Sequence, residues 1–178
     1  MGIILLLMGC MGAVTHQDAI LKINETFPVE AFALGAPVRK AVWKEPPNVR
    51  LCTTSEVSLS RVYRALEYWS RIGYEFGIVR KDNFSMCMNP KMGEIIITLP
   101  ESGFTSSHMA STRLYTDTKS GEIVKAKIFV LPKNARKERV LEHELGHALG
   151  WSHYRQRYHI MHPNWYSGGF DSYGIRQK

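Results

Sequence analysis

The sequence predicts an α+β fold, because strand-like and helix-like patterns follow one another along a single chain. Apolar residues recur at helical spacing over residues 53–72, and three later segments have the composition of strands. A second helix is predicted around a histidine-rich motif near the C-terminus. With 178 residues, the chain suits one domain whose core can form without metal or disulfide support.

The composition is that of an ordinary globular protein, with 44% hydrophobic and 22% charged residues. The 23 Lys and Arg residues against 16 Asp and Glu give a net charge of +7, which could favour acidic partners or an anionic surface. The basic residues are scattered, however, and no nucleic-acid-binding module is recognisable. We therefore expect a solvated, mildly basic surface and no nucleic-acid partner.

The N-terminus, residues 1–10, contains an apolar run that is too short to cross a bilayer but long enough for a signal-peptide core. The run ends in Leu-Met-Gly-Cys, which resembles a bacterial lipobox and would place a lipid on Cys10. We expect an exported protein, secreted or anchored in the cell envelope; the alternative is an uncleaved apolar strand. Residues 11–37 have no clear period and predict a leader or tether, so the folded domain is expected at 38–178.

Two further cysteines, Cys52 and Cys87, remain if Cys10 carries a lipid. An oxidising compartment would let them form a disulfide. The alternative is that both are buried apolar thiols, and the sequence leaves the two interpretations open.

The first half of the domain is predicted to begin with a strand. Residues 38–43 alternate apolar and polar side chains, as a half-buried strand does, and the proline-containing segment 45–48 ends the pattern. Thr53 with Glu56 three residues later predicts a capping box for a long helix over 53–72.

The second half is predicted to be mainly strands. A loop at 81–91 is followed by a buried strand at 93–99. Segments 110–117 and 123–131 predict a hairpin with glycine in its turn, and the mixed polarity of the first segment is typical of an edge strand. Asn134 is the predicted N-cap of the second helix.

That second helix carries the residues with clear chemical meaning. His143, Glu144, His147, Gly150 and His153 spell H-E-x-x-H-x-x-G-x-x-H. Residues four apart share one face of a helix, so His143 and His147 can offer two ring nitrogens to one ion. A bend at Gly150 would return His153 as a third ligand, while Glu144 reaches a water molecule without binding the metal. The spacing predicts one catalytic zinc ion.

The same motif, with Met161 eight residues after its last histidine, resembles the active site of the metzincin zinc peptidases. The segment 65–72 (ALEYWSRI), followed by Phe76, is similar to the first helix of the matrixin branch of that family. The resemblance covers roughly residues 38–165. It implies a mixed, twisted sheet of four to five strands, a long first helix and an active-site helix.

The resemblance also implies roles for individual residues: zinc binding by His143, His147 and His153, general-base catalysis by Glu144, and a turn at Met161 beneath the metal. A zinc endopeptidase would activate water with its metal, while the glutamate moves a proton from that water to the leaving amine. No tyrosine stands two residues after the methionine, so a tyrosine that stabilises the oxyanion is absent. His159 and His162 could take that role or lie in a solvent-exposed turn.

Substrate contacts follow from the same resemblance. Pro163 and Trp165 would form a pocket wall, Tyr115 would lie nearby, and the strand 110–117 would pair with an extended substrate by strand addition. We expect protein or peptide substrates and a monomeric enzyme. The alternative function is a zinc-bearing surface binding protein without proteolysis, suggested by the missing tyrosine and the short segment at 171–178.

Overall fold

The computed structural model describes residues 35–83, 87, 89–100 and 108–177, so the predicted signal segment at 1–10 and most of the predicted tether lie outside the described residues. The described residues form five strands and two α-helices. The strands are β1 Asn48–Cys52, β2 Val79–Asp82, β3 Glu94–Thr98, β4 Ala110–Thr116 and β5 Ile123–Val130. The helices are α1 Leu59–Arg71 and α2 Val140–Ala148. Among the described residues, no helix is long and apolar enough to cross a membrane.

The five strands form one mixed sheet in the order β2-β1-β3-β5-β4. β1, β2, β3 and β5 pair in parallel, whereas β4 lies at one edge and pairs antiparallel with β5. α2 packs against β4 and β5, and α1 packs against α2. The predicted α+β class and the mixed sheet of four to five strands are therefore confirmed.

The long helix begins later than predicted. α1 starts after Ser58, whose hydroxyl accepts the backbone N–H of Arg61 at 3.2 Å. The capping box predicted at Thr53 and Glu56 is wrong, because the Thr53 N–H is bonded to the carbonyl of Asp82 at 2.8 Å and still follows the path of the sheet. The apolar face predicted within this helix is buried: Val62, Ala65, Leu66 and Trp69.

Two strands, β1 and β2, have no counterpart in the prediction, which has a break at 45–48 and a loop at 81–91. Four of the five residues of β1 are buried, so the strand shows no polar alternation. β2 has only four residues, three of them charged and none of them buried, so its composition resembles that of a loop. By contrast, the strands predicted at 93–99, 110–117 and 123–131 are confirmed as β3, β4 and β5.

The strand predicted at 38–43 is wrong as a member of the sheet, because it makes only isolated bridges. Its side chains instead bond to the end of α2. The Trp43 indole N–H donates to the Ala148 carbonyl at 2.8 Å, and Arg39 Nε donates to the Leu149 carbonyl at 3.0 Å. The last carbonyls of a helix have no partner within it, so this segment caps α2 from outside.

The sheet face turned away from the core carries buried charge. Arg50 is 1% exposed and forms an ion pair with Glu94, which Arg80 also contacts at 3.1 Å. Beside this network, Cys52 and Cys87 form a disulfide, which decides between the two interpretations that the sequence left open.

Candidate metal centre

The start of α2 differs from the prediction. Asn134 is not its N-cap but belongs to a short 3₁₀ helix, Pro132–Asn134, and its amide donates to the carbonyl of Met109 at 2.9 Å. The residue before α2 is Arg139, which has a left-handed backbone with φ 68° and provides no side-chain cap. The prediction is wrong because the 3₁₀ turn and a further bend separate Asn134 from the helix.

α2 is held instead by α1. The Arg61 guanidinium forms a buried ion pair with Glu142, with Nη1 2.8 Å from Oε1. The Trp69 indole N–H donates to the Glu142 backbone carbonyl at 2.8 Å. Because Glu142 directly precedes His143, these contacts fix the part of α2 from which the first histidine projects.

The end of α2 is a Schellman turn, in which the Trp151 N–H bonds to the Gly146 carbonyl at 2.9 Å. Gly150 has φ 97°, and a Cβ added there would lie 2.0 Å from the carbonyl oxygen of Ala41. Both the conformation and the space therefore require glycine. The turn reverses the chain and brings His153 back towards α2, as the motif predicts.

The three motif histidines meet through their Nε2 atoms. The distances are 3.1 Å between His143 and His147, 3.1 Å between His147 and His153, and 3.3 Å between His143 and His153. The first two residues are one turn apart on α2, and the third comes from the segment after the Gly150 turn. Among the described residues, these three histidines form the group whose ligand atoms lie close enough together to hold one metal ion.

Backbone carbonyls orient two of these rings. His143 Nδ1 lies 2.7 Å from the carbonyl oxygen of Ile160, and His147 Nδ1 lies 2.7 Å from that of Trp151. A carbonyl only accepts, so Nδ1 must carry the proton in both rings. Their Nε2 atoms therefore present lone pairs to the common point, which is the arrangement of a metal-binding histidine.

Loss of hydration keeps all three rings neutral, although His147 is buried while His143 and His153 are half-buried. It is the main cause that lowers the pKa of His143 to about 4 and that of His153 to about 3. Burial also places the pKa of His147 well below its ordinary value, and repulsion from the other two rings lowers it further. Metal ions bind the neutral imidazole, so at neutral pH no proton has to be displaced.

Glu144 lies beside this cluster in sequence and is 6% exposed. The hydroxyl Oγ1 of Thr112, on β4, is 2.7 Å from Glu144 Oε2 and 3.0 Å from the Glu144 backbone carbonyl oxygen. Motif reasoning does not find Thr112, because a threonine on an edge strand has no metal-ligand or acid–base signature. The signal available in the sequence is the mixed polarity of the strand.

Met161 is fully buried against α2. A Cβ added to Gly146 would lie 2.3 Å from the Met161 sulfur and 2.8 Å from Trp69 Cζ2. The methionine therefore occupies the space that the missing side chain of Gly146 leaves beside His147. The motif does not specify position 146, so the need for glycine there is another feature that the sequence alone does not reveal.

His159 has a different role from either of those expected. It is 0% exposed; its Nδ1 accepts the Met161 N–H at 3.0 Å, and its Nε2 donates to the Tyr173 carbonyl at 3.1 Å. It is therefore neither a solvent-exposed turn residue nor a free donor for an oxyanion, and burial lowers its pKa. His162 is half-buried, and its Nδ1 accepts the N–H of Asn164 at 3.0 Å; its suggested role stays a prediction.

Of the predicted pocket residues, Pro163 is exposed and Trp165 is half-buried. The Trp165 indole N–H donates to the Glu138 carbonyl at 3.0 Å, and the Arg139 guanidinium lies 4.6 Å from the ring centroid. The segment after Met161 is thus attached to the residues that precede α2.

Tyr115, the third predicted pocket residue, lies on β4 three positions after Thr112. Side chains alternate along a strand, so Tyr115 faces the opposite side of the sheet from Thr112. There the Lys125 ammonium group lies 5.1 Å from the Tyr115 ring centroid. The structure thus brings the three histidines together, but it does not bring Tyr115 to the same face. The pocket roles of Pro163, Trp165 and Tyr115 stay predictions.

Comparisons with known proteins add no relative: no family model matches the chain, and no curated protein matches it significantly. The observations that bear on function are therefore the geometry of the histidine cluster and its surroundings. These consist of three neutral imidazoles, a buried carboxylate adjacent in sequence, and a methionine packed against the same helix.

Proposed function

We propose that this protein is a zinc-dependent endopeptidase of the metzincin class, similar to the matrixins. The observation that carries the proposal is the triangle of imidazole nitrogens. Zn–N distances of about 2.0–2.1 Å in a tetrahedral site require ligand atoms about 3.3–3.4 Å apart. The Nε2 atoms of His143, His147 and His153 are 3.1–3.3 Å apart. Three protein ligands would leave one position open, as in catalytic rather than structural zinc sites.

Two features around the triangle support the same class. Met161 packs against α2 at Gly146, which agrees with the methionine turn that the resemblance implies. β4 is an edge strand that packs against α2, which agrees with the upper rim of a peptide-binding cleft. β5 pairs with one side of β4, so the other side offers backbone groups to an extended substrate.

In the proposed reaction, the three histidines would hold the metal through Nε2. When bound, zinc lowers the pKa of a water molecule to near neutrality and polarises the substrate carbonyl. The Glu144 carboxylate would accept a proton from the water molecule as the water oxygen bonds to the carbonyl carbon, and would transfer that proton to the amine nitrogen as the C–N bond breaks. No histidine is needed as a base, because the three Nε2 atoms converge on the point where the metal would bind.

The test uses the full chain, loaded with zinc, and a library of unstructured peptides. We expect cleavage that stops with a chelator and returns when zinc is restored. Glu144→Ala should keep about one zinc ion per chain and lose at least about 100-fold in kcat, the typical contribution of a general base. Glu138→Ala is the matched control, because its carboxylate is exposed and lies before α2. Full activity of pure Glu144→Ala protein would refute the proposal.

The same experiment examines the alternative function. A wild-type protein that binds one zinc ion but cleaves no peptide in the library would favour the zinc-bearing surface binding protein. The buried Glu144 argues for the enzyme. Burying a carboxylate costs free energy, and a protein that only binds zinc has no use for a buried carboxylate at this position.

Export remains part of the proposal. The disulfide between Cys52 and Cys87 supports an oxidising compartment, because disulfides are rare where thiols are kept reduced. We propose a secreted enzyme or one anchored by a lipid on Cys10. Mass spectrometry of the N-terminal peptide, from protein made in a bacterial host, would detect the lipid.

A further inference from the structure

Thr112 contacts Glu144 in an unusual way, because one hydroxyl group reaches both the side chain and the backbone of the same residue. Its Oγ1 lies 2.7 Å from Oε2 and 3.0 Å from the carbonyl oxygen. Thr112 is on β4 and Glu144 is on α2, so the contact joins the edge strand to the helix that carries two of the histidines. A hydroxyl can donate its proton to the carboxylate from this position.

Thr112 is itself held rigidly. It pairs with Ile128 in the β4–β5 ladder, and β-branched side chains have few χ1 rotamers. A glutamate, by contrast, has three side-chain torsions, so its helix alone does not determine where the carboxylate lies. A proton acceptor misplaced by about 1 Å can lose about 100-fold in rate. A rigid donor from a neighbouring strand would remove this freedom.

We propose that Thr112 is a positioning residue, which holds the Glu144 carboxylate in the orientation from which it accepts and returns the proton. The inference rests on the proposed role of Glu144 as the base. It also connects two parts of the proposed enzyme, since β4 is the strand at which an extended substrate would bind. Through Thr112, the edge that aligns the substrate also aligns the base.

The test compares three substitutions on β4. Thr112→Val removes the hydroxyl but keeps the shape, Thr112→Ser keeps the hydroxyl, and Thr116→Val makes the same chemical change at the other end of the strand. Each zinc-loaded variant is assayed for kcat, KM, zinc content and midpoint of urea unfolding. Crystal structures, with and without zinc, record the orientation of the Glu144 carboxylate.

For Thr112→Val we expect kcat to fall about 10- to 100-fold, the value of a hydrogen bond to a charged group. KM should stay within about twofold, because ground-state binding is unchanged. Thr112→Ser should keep most of kcat, and Thr116→Val all of it. In the crystals, the Glu144 carboxylate should leave its position in Thr112→Val and keep it in Thr112→Ser.

Several outcomes would overturn the inference: wild-type kcat in Thr112→Val, equal losses in Thr112→Val and Thr112→Ser, or an unmoved carboxylate in Thr112→Val. If Thr112→Val does not fold, Thr112→Ala makes the same deletion without adding an apolar branch, and the same criteria apply. Failure of the proposed function is distinguishable, because it appears as activity in Glu144→Ala or as a wild-type protein that cleaves no peptide. The crystal structures still decide whether Thr112 positions the carboxylate.

Discussion

The two helices of this protein are stabilised in opposite ways. α1 has 13 residues, one buried apolar face, and a Ser58 hydroxyl that caps its first turn. α2 has nine residues, of which all but His143 are buried, and it follows a left-handed Arg139 without a side-chain cap. Isolated helices shorter than about 12–15 residues are marginal in water, so α1 lies near this limit and α2 well below it. α1 is therefore encoded largely in its own sequence, whereas α2 depends on its neighbours.

The neighbours of α2 come from distant parts of the chain. Arg61 and Trp69 of α1 hold its first turn, while Trp43 and Arg39 bond to the carbonyls at its end. Such support lets the surface of α2 carry histidines and a glutamate, which contribute little apolar packing. The helix that performs the proposed chemistry is thus the one that the rest of the fold must hold.

The largest effect that should separate the two regions is acid destabilisation of the metal-free protein. α1 contains no histidine, whereas the cluster at α2 must stay neutral. The pKa of His143 is lowered from 6.5 to about 4 and that of His153 to about 3, mainly by burial. Above pH 6.5 each ring is neutral in both the folded and the unfolded chain, so the folded state keeps its full stability. As the pH falls from 6.5 through the lowered pKa of each ring, the unfolded chain binds more protons than the folded one, and the folded state loses stability. We expect a loss on the order of 3 kcal/mol from His143 alone.

The measurement is the free energy of unfolding in urea between pH 7.5 and about 4, since the change in proton binding defines the slope. Saturating zinc should move the loss to lower pH, because the metal competes with protons for the rings. His108→Ala is the control, because it removes an exposed histidine outside the cluster. A metal-free protein equally stable at pH 7.5 and 4 would contradict the prediction.

The next effect concerns the ion pair that joins the helices. Arg61→Ala leaves the Glu142 carboxylate buried without its guanidinium partner and should cost about 3–5 kcal/mol in the free energy of unfolding. Arg71→Ala removes an arginine from an exposed pair with Glu67 on α1 and should cost at most about 0.5 kcal/mol. Urea unfolding of both variants tests the difference. Similar losses would show that α2 does not depend on α1 in this way.

The fold was predictable where one segment determines its own structure. The apolar spacing of α1 and the buried runs of β3 and β5 are visible without tertiary information. β1 and β2 are not, because burial of four of its five residues removes the polar alternation from β1, and β2 has only one apolar residue. Residues 38–43, by contrast, predict a sheet strand that does not form. Their alternation reflects contacts with the end of α2 rather than a place in the sheet.

The candidate site also has parts that the sequence predicts and parts that it does not. His143, His147, His153 and the bend at Gly150 follow from the geometry of one helix and one turn, so their spacing predicts the cluster. Thr112 reaches Glu144 from a strand about 30 residues earlier. His159 matters because its ring accepts the N–H of Met161, and Gly146 matters because the Met161 side chain packs closely against it. Contacts between distant segments leave no periodicity or motif in the sequence, so these features could not be predicted.

The smallest expected effect concerns the side-chain cap of α1, which α2 lacks. Ser58→Ala removes the oxygen that accepts the Arg61 N–H, and loss of such a cap costs about 1 kcal/mol. Ser70→Ala, an exposed serine near the end of the same helix, should change the free energy of unfolding by less than about 0.5 kcal/mol. Equilibrium urea unfolding resolves the two values. If the variants prove equally stable, the first turn of α1 is held by tertiary packing, as α2 is, and the helices do not differ in the way described.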